Sequence, residues 1–104
     1  MGRYYFQSQQ RLFQHNGYSV LIKEWYNPWA DSPGRPSTFW VYYVNKEKEM
    51  VLHILKGLSI EKIAESDALE KLDVKFMTIE NGHGFFSLPK TIDWAVQEAK
   101  NRIR

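Results

Sequence analysis

The chain has 104 residues, of which 43% are hydrophobic, 15% aromatic and 25% charged, with a formal net charge of +2. That length holds one domain, residues 1–104, because either half alone would be too small to bury a core. The charge is too small to imply nucleic acid or an anionic membrane by itself, and the lack of cysteine excludes disulfides, thiolate chemistry and cysteine-based zinc sites.

The opening residues Met1-Gly2-Arg3-Tyr4-Tyr5-Phe6 lack the apolar run of a signal peptide. Phe6 stands where a myristoylation motif needs Ser or Thr. No stretch approaches the ~20 apolar residues of a membrane helix, so a cytoplasmic protein without membrane association is expected.

Residues 3–14 alternate loosely and hold four glutamines and a serine, which reads as a solvated strand at a sheet edge. Asn16-Gly17 then supplies a hairpin turn, since both residues tolerate positive φ. Residues 18–26 form its second strand, with Tyr18, Val20 and Ile22 on one face and Ser19, Leu21, Lys23 and Trp25 on the other. The segment 27–37 holds Pro28, Pro33, Pro36 and Gly34 and reads as a long loop presenting Trp29, Asp31 and Arg35. Residues 38–44, Thr-Phe-Trp-Val-Tyr-Tyr-Val, are all β-branched or aromatic and give the strongest strand signal in the chain. Both faces of that strand are apolar, so it is either covered on two sides or holds one face for a partner.

From Asn45 the period changes to that of helices. Asn45 caps a helix over 46–56 with Val51, Ile54, Leu55 and Leu58 as its inner stripe, and Gly57 ends it; a strand over 50–55 is the competing reading. Ser59 caps a second helix whose inner stripe runs from Ile60 through Ile63, Ala64 and Ala68 to Leu72. Residues 73–79 alternate as a strand, Asn81-Gly82-His83-Gly84 turns, and 85–88 return as its hairpin partner. Thr91 caps a final helix with Ile92, Ala95, Val96, Ala99 and Ile103 inward. The expected fold is α+β: a three-stranded N-terminal meander plus a later hairpin in an antiparallel sheet, with two to three helices on one face.

Aromatic residues are concentrated early, 12 of the 16 lying in the first 45 residues. Their surplus over what a core absorbs points to a non-catalytic protein that grips a macromolecule, in the manner of small accessory or inhibitor proteins of phages and mobile elements. Trp25, Tyr26, Trp29, Asp31, Arg35, Trp40 and Tyr42 are the expected contacts with a protein partner, because exposed aromatics dominate binding energies at interfaces. A homodimer through the sheet would use the same kind of surface. Nucleic acid is the alternative partner, with bases stacked on the aromatic face while Arg3, Tyr5, Arg11 and Lys23 track the strand.

A second route to nucleic acid rests on residues 46–76. Ser59, Ile63-Ala64 and Ala68-Leu69 have a spacing that resembles the core of bacterial helix-turn-helix regulators, and 46–59 is similar to the preceding helix of LuxR-type domains. The resemblance implies a second helix from Glu70 that enters the major groove. The other reading of these residues is a capped amphipathic helix that packs on the sheet. Catalysis is not expected. His15, His53 and His83 have no metal-ligand spacing, and Ser32, Ser37 and Ser87 have no nucleophile-elbow context. No catalytic residue, metal site or cofactor is therefore assigned.

Overall fold

The computed structural model describes residues 6–26, 36–66, 69–80 and 90–104, with backbone alone at 6–8, 26, 36 and 37. Arg3, Tyr5, residues 27–35 with Trp29, Asp31 and Arg35, Ala68, the 81–84 turn and the 85–88 strand all lie outside the described residues, and the side chain of Tyr26 does too.

The described elements are β1 (Phe6–His15), β2 (Tyr18–Tyr26), β3 (Pro36–Asn45), α1 (Lys46–Lys56), α2 (Ile60–Ile63), β4 (Lys75–Glu80) and α3 (Ile92–Arg102). The strands form one antiparallel sheet in the order β1-β2-β3-β4. Among the described strands β1 lies at an edge, as its glutamine-rich composition suggested, and β3 is paired on both sides. The β1–β2 turn uses Asn16 at φ 49° and Gly17 at φ 81°, the positive-φ pair that a two-residue hairpin requires.

The helices, expected on one face, divide between both. Val20, Ile22, Phe39, Val41 and Ile79 form one buried cluster with Ile92, Ala95, Ala99 and Ile103 at α3. Leu21, Tyr42 and Val44 point the other way and pack with Ile60 and Ile63 of α2 and with Val74. The cause lies in β3, whose apolar residues alternate onto both faces. Each face buries side chains worth about 1.5–3 kcal/mol apiece, so one layer of helices leaves half of that gain unrealised.

Each helix end is set by local chemistry. Asn45 Oδ1 accepts the backbone N–H groups of Glu47 at 2.9 Å and Lys48 at 3.2 Å. Gly57, at φ 68°, donates its N–H to the His53 carbonyl at 2.9 Å and closes α1. Thr91 Oγ1 accepts from Trp94 N at 3.2 Å at the start of α3. The hairpin turn is fastened to both neighbouring helices. Lys46 N donates to the Gly17 carbonyl at 2.9 Å, and His15 Nε2 donates to the Lys100 carbonyl at 3.0 Å.

Residues 59–76 depart from the helix-turn-helix expectation. α2 is a single turn, the chain bends through 69–73 with Asp73 at φ 62°, and the place of a recognition helix from Glu70 is taken by β4. The alternation of Val74 to Ile79 outweighs the helical spacing because β4 gains a full ladder on β3, with Phe76 opposite Tyr42 and Ile79 opposite Phe39.

Candidate functional site

Among the described residues, α2 and the 69–73 bend pack on one end of the sheet face opposite α3. Toward the far end, successive strands contribute Lys23 and Trp25 from β2, Trp40 and Tyr42 from β3, and Phe76 from β4. The register makes them neighbours, with Lys23 opposite Trp40 and Tyr42 opposite Phe76. Ring centroids lie 4.9 Å apart for Trp25 and Trp40, 5.8 Å for Trp40 and Phe76, and 5.0 Å for Tyr42 and Phe76. Lys23 Nζ sits 5.9 Å from the Tyr42 ring centre.

Trp25 and Trp40 are half-buried and Phe76 is 47% exposed, so this row leaves part of its ring surface in solvent. Tyr42, expected on the open surface, is buried and backs the row; burial raises its hydroxyl pKa. The Trp25 indole N–H is buried without an acceptor among the described residues. Arg11, grouped with Lys23 on sequence grounds, projects from the other face and pairs with Asp93 of α3 at 3.4 Å.

α1 adds a surface that periodicity placed the wrong way round. Its stripe of Val51, Ile54 and Leu55, expected inward, faces solvent together with Met50, these four being 51–74% exposed. No residue of α1 is buried. Leu52 packs toward the sheet instead, beside Glu49, whose carboxylate accepts from Ser19 Oγ at 2.7 Å and from Ile60 N at 2.9 Å. That second bond caps α2 in place of Ser59, whose side chain makes no capping bond. An amphipathic pattern reports that one side of a helix is apolar and not what covers it, so this outward face had no sequence signal of its own.

Lys48 pairs with Asp73 and anchors α1 to the bend before β4. The hydrogen bond and charge of Lys48 hold the Asp73 carboxyl below its usual range. Because that carboxyl ionises at lower pH in the folded chain than in the unfolded one, its contribution is present at neutral pH and lost as the pH falls through the lowered native value. Asp73→Asn keeps a residue that tolerates positive φ. Melting curves between neutral and acid pH should show a slightly lower Tm at neutral pH and a flatter acid limb for this variant.

Between α1 and the end of β1 lie two grooves of 260 and 280 Å³ that share Gln14 and Glu49. Lys46, Met50 and His53 line the first, and Leu12, Phe13 and Ser19 the second. Among the described residues no three His, Asp or Glu side chains come together as metal ligands. No described helix is long and apolar enough to cross a membrane.

Comparison with protein families, curated proteins and solved structures gives no match. The functional reading therefore rests on the geometry of this chain.

Proposed function

We propose that this chain is a non-catalytic binding protein that docks a protein partner on the sheet side opposite α3. One observation carries the reading. Every large apolar side chain that is exposed among the described residues (Leu12, Met50, Val51, Ile54, Leu55 and Phe76) belongs to that side. Leu12 pairs across from Leu21, Phe76 from Tyr42, and the remaining four stand on α1. Scattered exposed apolar residues are ordinary on a monomer, whereas their confinement to one side is the mark of an interaction surface. The Trp25–Trp40–Phe76 row supplies the aromatic anchors that dominate protein interfaces.

The nucleic-acid alternative gains less support. Lys23 shares this side with the aromatic row, but Arg11 is on the other face with its charge occupied by Asp93. A single-stranded nucleic-acid platform needs cations beside the stacking rings.

The test is retention of a partner protein from nuclease-treated cell extract by tagged wild type and by the double variant Ile54→Glu/Leu55→Glu. Both positions are exposed, so the variant should keep its circular dichroism spectrum and melting temperature while losing the retained protein. Retention should barely change between low and moderate salt, because phosphate contacts are what make binding steeply salt-dependent. Retention unchanged in the variant, or abolished by nuclease, would overturn the reading, the latter in favour of nucleic acid.

A further inference from the structure

Asn16 and Gly17 make up the whole loop between β1 and β2, and both are exposed with positive φ. Three hydrogen bonds tie this tip to the helices. Lys46 N donates to the Gly17 carbonyl at 2.9 Å, His15 Nε2 to the Lys100 carbonyl at 3.0 Å, and Asn16 Nδ2 to the Ile103 carbonyl at 3.4 Å. The last is long for such a bond and holds the Asn16 amide only weakly. The Gly17 N–H has no hydrogen-bond acceptor among the described residues. Apart from its chain neighbours, nothing lies within 4 Å of where a Gly17 side chain would begin.

We infer that Asn16-Gly17 is a self-modifying site, in a reading independent of the protein-docking surface. The chain closes a cyclic imide there and opens it to isoaspartate, and that product releases the hairpin tip from α1 and α3. The Gly17 nitrogen gives its proton to hydroxide and attacks the side-chain carbonyl carbon of Asn16. A bond from the Gly17 nitrogen to that carbon forms, the bond to Nδ2 breaks, and ammonia leaves with a proton from water. Water then opens the imide at either carbonyl, giving aspartate or isoaspartate. The nucleophile is unbonded, the reacting carbon is exposed, and glycine has no Cβ to obstruct the rotation that ring closure needs. Transient opening of the weakly held tip supplies that rotation.

The two products differ in what they break. Aspartate leaves the backbone path intact and loses only the donor to Ile103. Isoaspartate carries the main chain through the side-chain carbon, adding a backbone atom to a loop of two residues. A two-residue hairpin sets the register of its strands through its turn geometry, so the enlarged loop no longer holds Tyr18 opposite His15. The Gly17 carbonyl is displaced with it, and Lys46 N at the start of α1 loses its acceptor.

The test is to age the folded wild type for weeks at physiological temperature and mildly alkaline pH, then digest it with trypsin. The fragment 12–23 should gain the mass of an amide-to-acid conversion and should accept isoaspartate-specific methylation. The other Asn-Gly pair, at 81–82, falls in the fragment 76–90 and is scored separately. Asn16→Gly, which keeps a residue suited to positive φ, should leave 12–23 unmodified. The isoaspartate fraction, separated by its added charge, should melt several degrees lower than fresh protein. Its Lys46 amide should exchange faster, while amides of the β3–β4 ladder keep their protection. If the folded chain leaves 12–23 unmodified while the urea-unfolded chain converts, the turn protects Asn16 and the site is overturned. An isoaspartate fraction that keeps the wild-type melting temperature and Lys46 protection would overturn the release of the tip.

Discussion

Val41→Asp is expected to leave no cooperatively folded protein. Val41 is fully buried in the middle of β3, between Ile22 of β2 and Met77 of β4, within the cluster that α3 closes with Ile92, Ala95 and Ala99. A carboxylate there has no described cation or donor to meet it. It either remains ionised in an apolar layer or takes up a proton at neutral pH, and either route costs several kcal/mol beyond the lost valine contacts. A domain of this size holds roughly 5–15 kcal/mol in total, so one such change removes most or all of it. The graded companion is Phe39→Ala. Phe39 is fully buried, lies opposite Ile79, and has the Trp94 ring 6.2 Å from its own. Truncating it should cost about 3–5 kcal/mol, read as a lower urea midpoint with an unchanged slope. A sigmoidal thermal melt from Val41→Asp near the wild-type temperature would show that the cluster under α3 does not carry the fold.

The sheet was legible in the sequence because its signals are local and mutually consistent. Asn16-Gly17 between two alternating runs, and an unbroken β-branched and aromatic run at 38–44, each allow few other conformations. The ends of α1 and α3 were legible for the same reason, since Asn45, Gly57 and Thr91 act within a few residues of themselves. What could not be read was which layer each helix joins. Val51, Ile54 and Leu55 have the spacing of a core stripe, but the helix is turned by contacts distant in sequence: Leu52 against the sheet, Glu49 on Ser19 and Ile60, Lys48 on Asp73. The helical spacing from Ile60 to Leu72 misled in a similar way, because the gain that stops α2 after one turn comes from β4 pairing with β3. Of the expected partner-binding residues, Trp25 and Trp40 come together on one face. Tyr42 joins the core beneath them, as its alternation with Tyr43 on a doubly covered strand allows.

Glu49→Ala should detach the α1–α2 layer while leaving the α3 layer in place. The Glu49 carboxylate is the shared acceptor for Ser19 Oγ on β2 and Ile60 N at the start of α2, and both of those residues are buried. Removing it leaves two donors short of a partner, and each unsatisfied group costs about 1–3 kcal/mol. The grooves beside Glu49 admit water to part of the gap, so a loss of roughly 2–4 kcal/mol in urea unfolding is expected. The four-residue α2 cannot stand on its own propensity, so loss of its cap should be felt there first. Hydrogen exchange should accelerate at the amides of Ile63 and Ala64, which bond to the Ser59 and Ile60 carbonyls, while the Ile103 amide bonded to Ala99 keeps its protection. Glu49→Gln should fall between the two, because an amide presents one acceptor oxygen and turns its NH₂ toward the other donor. A cycle with Ser19→Ala separates the two bonds: if Ser19 matters only through Glu49, the double variant is no less stable than Glu49→Ala alone. Additive losses would mean instead that Ser19 and Glu49 act independently, and that α1 is held to the sheet by Leu52 and the Lys48–Asp73 pair.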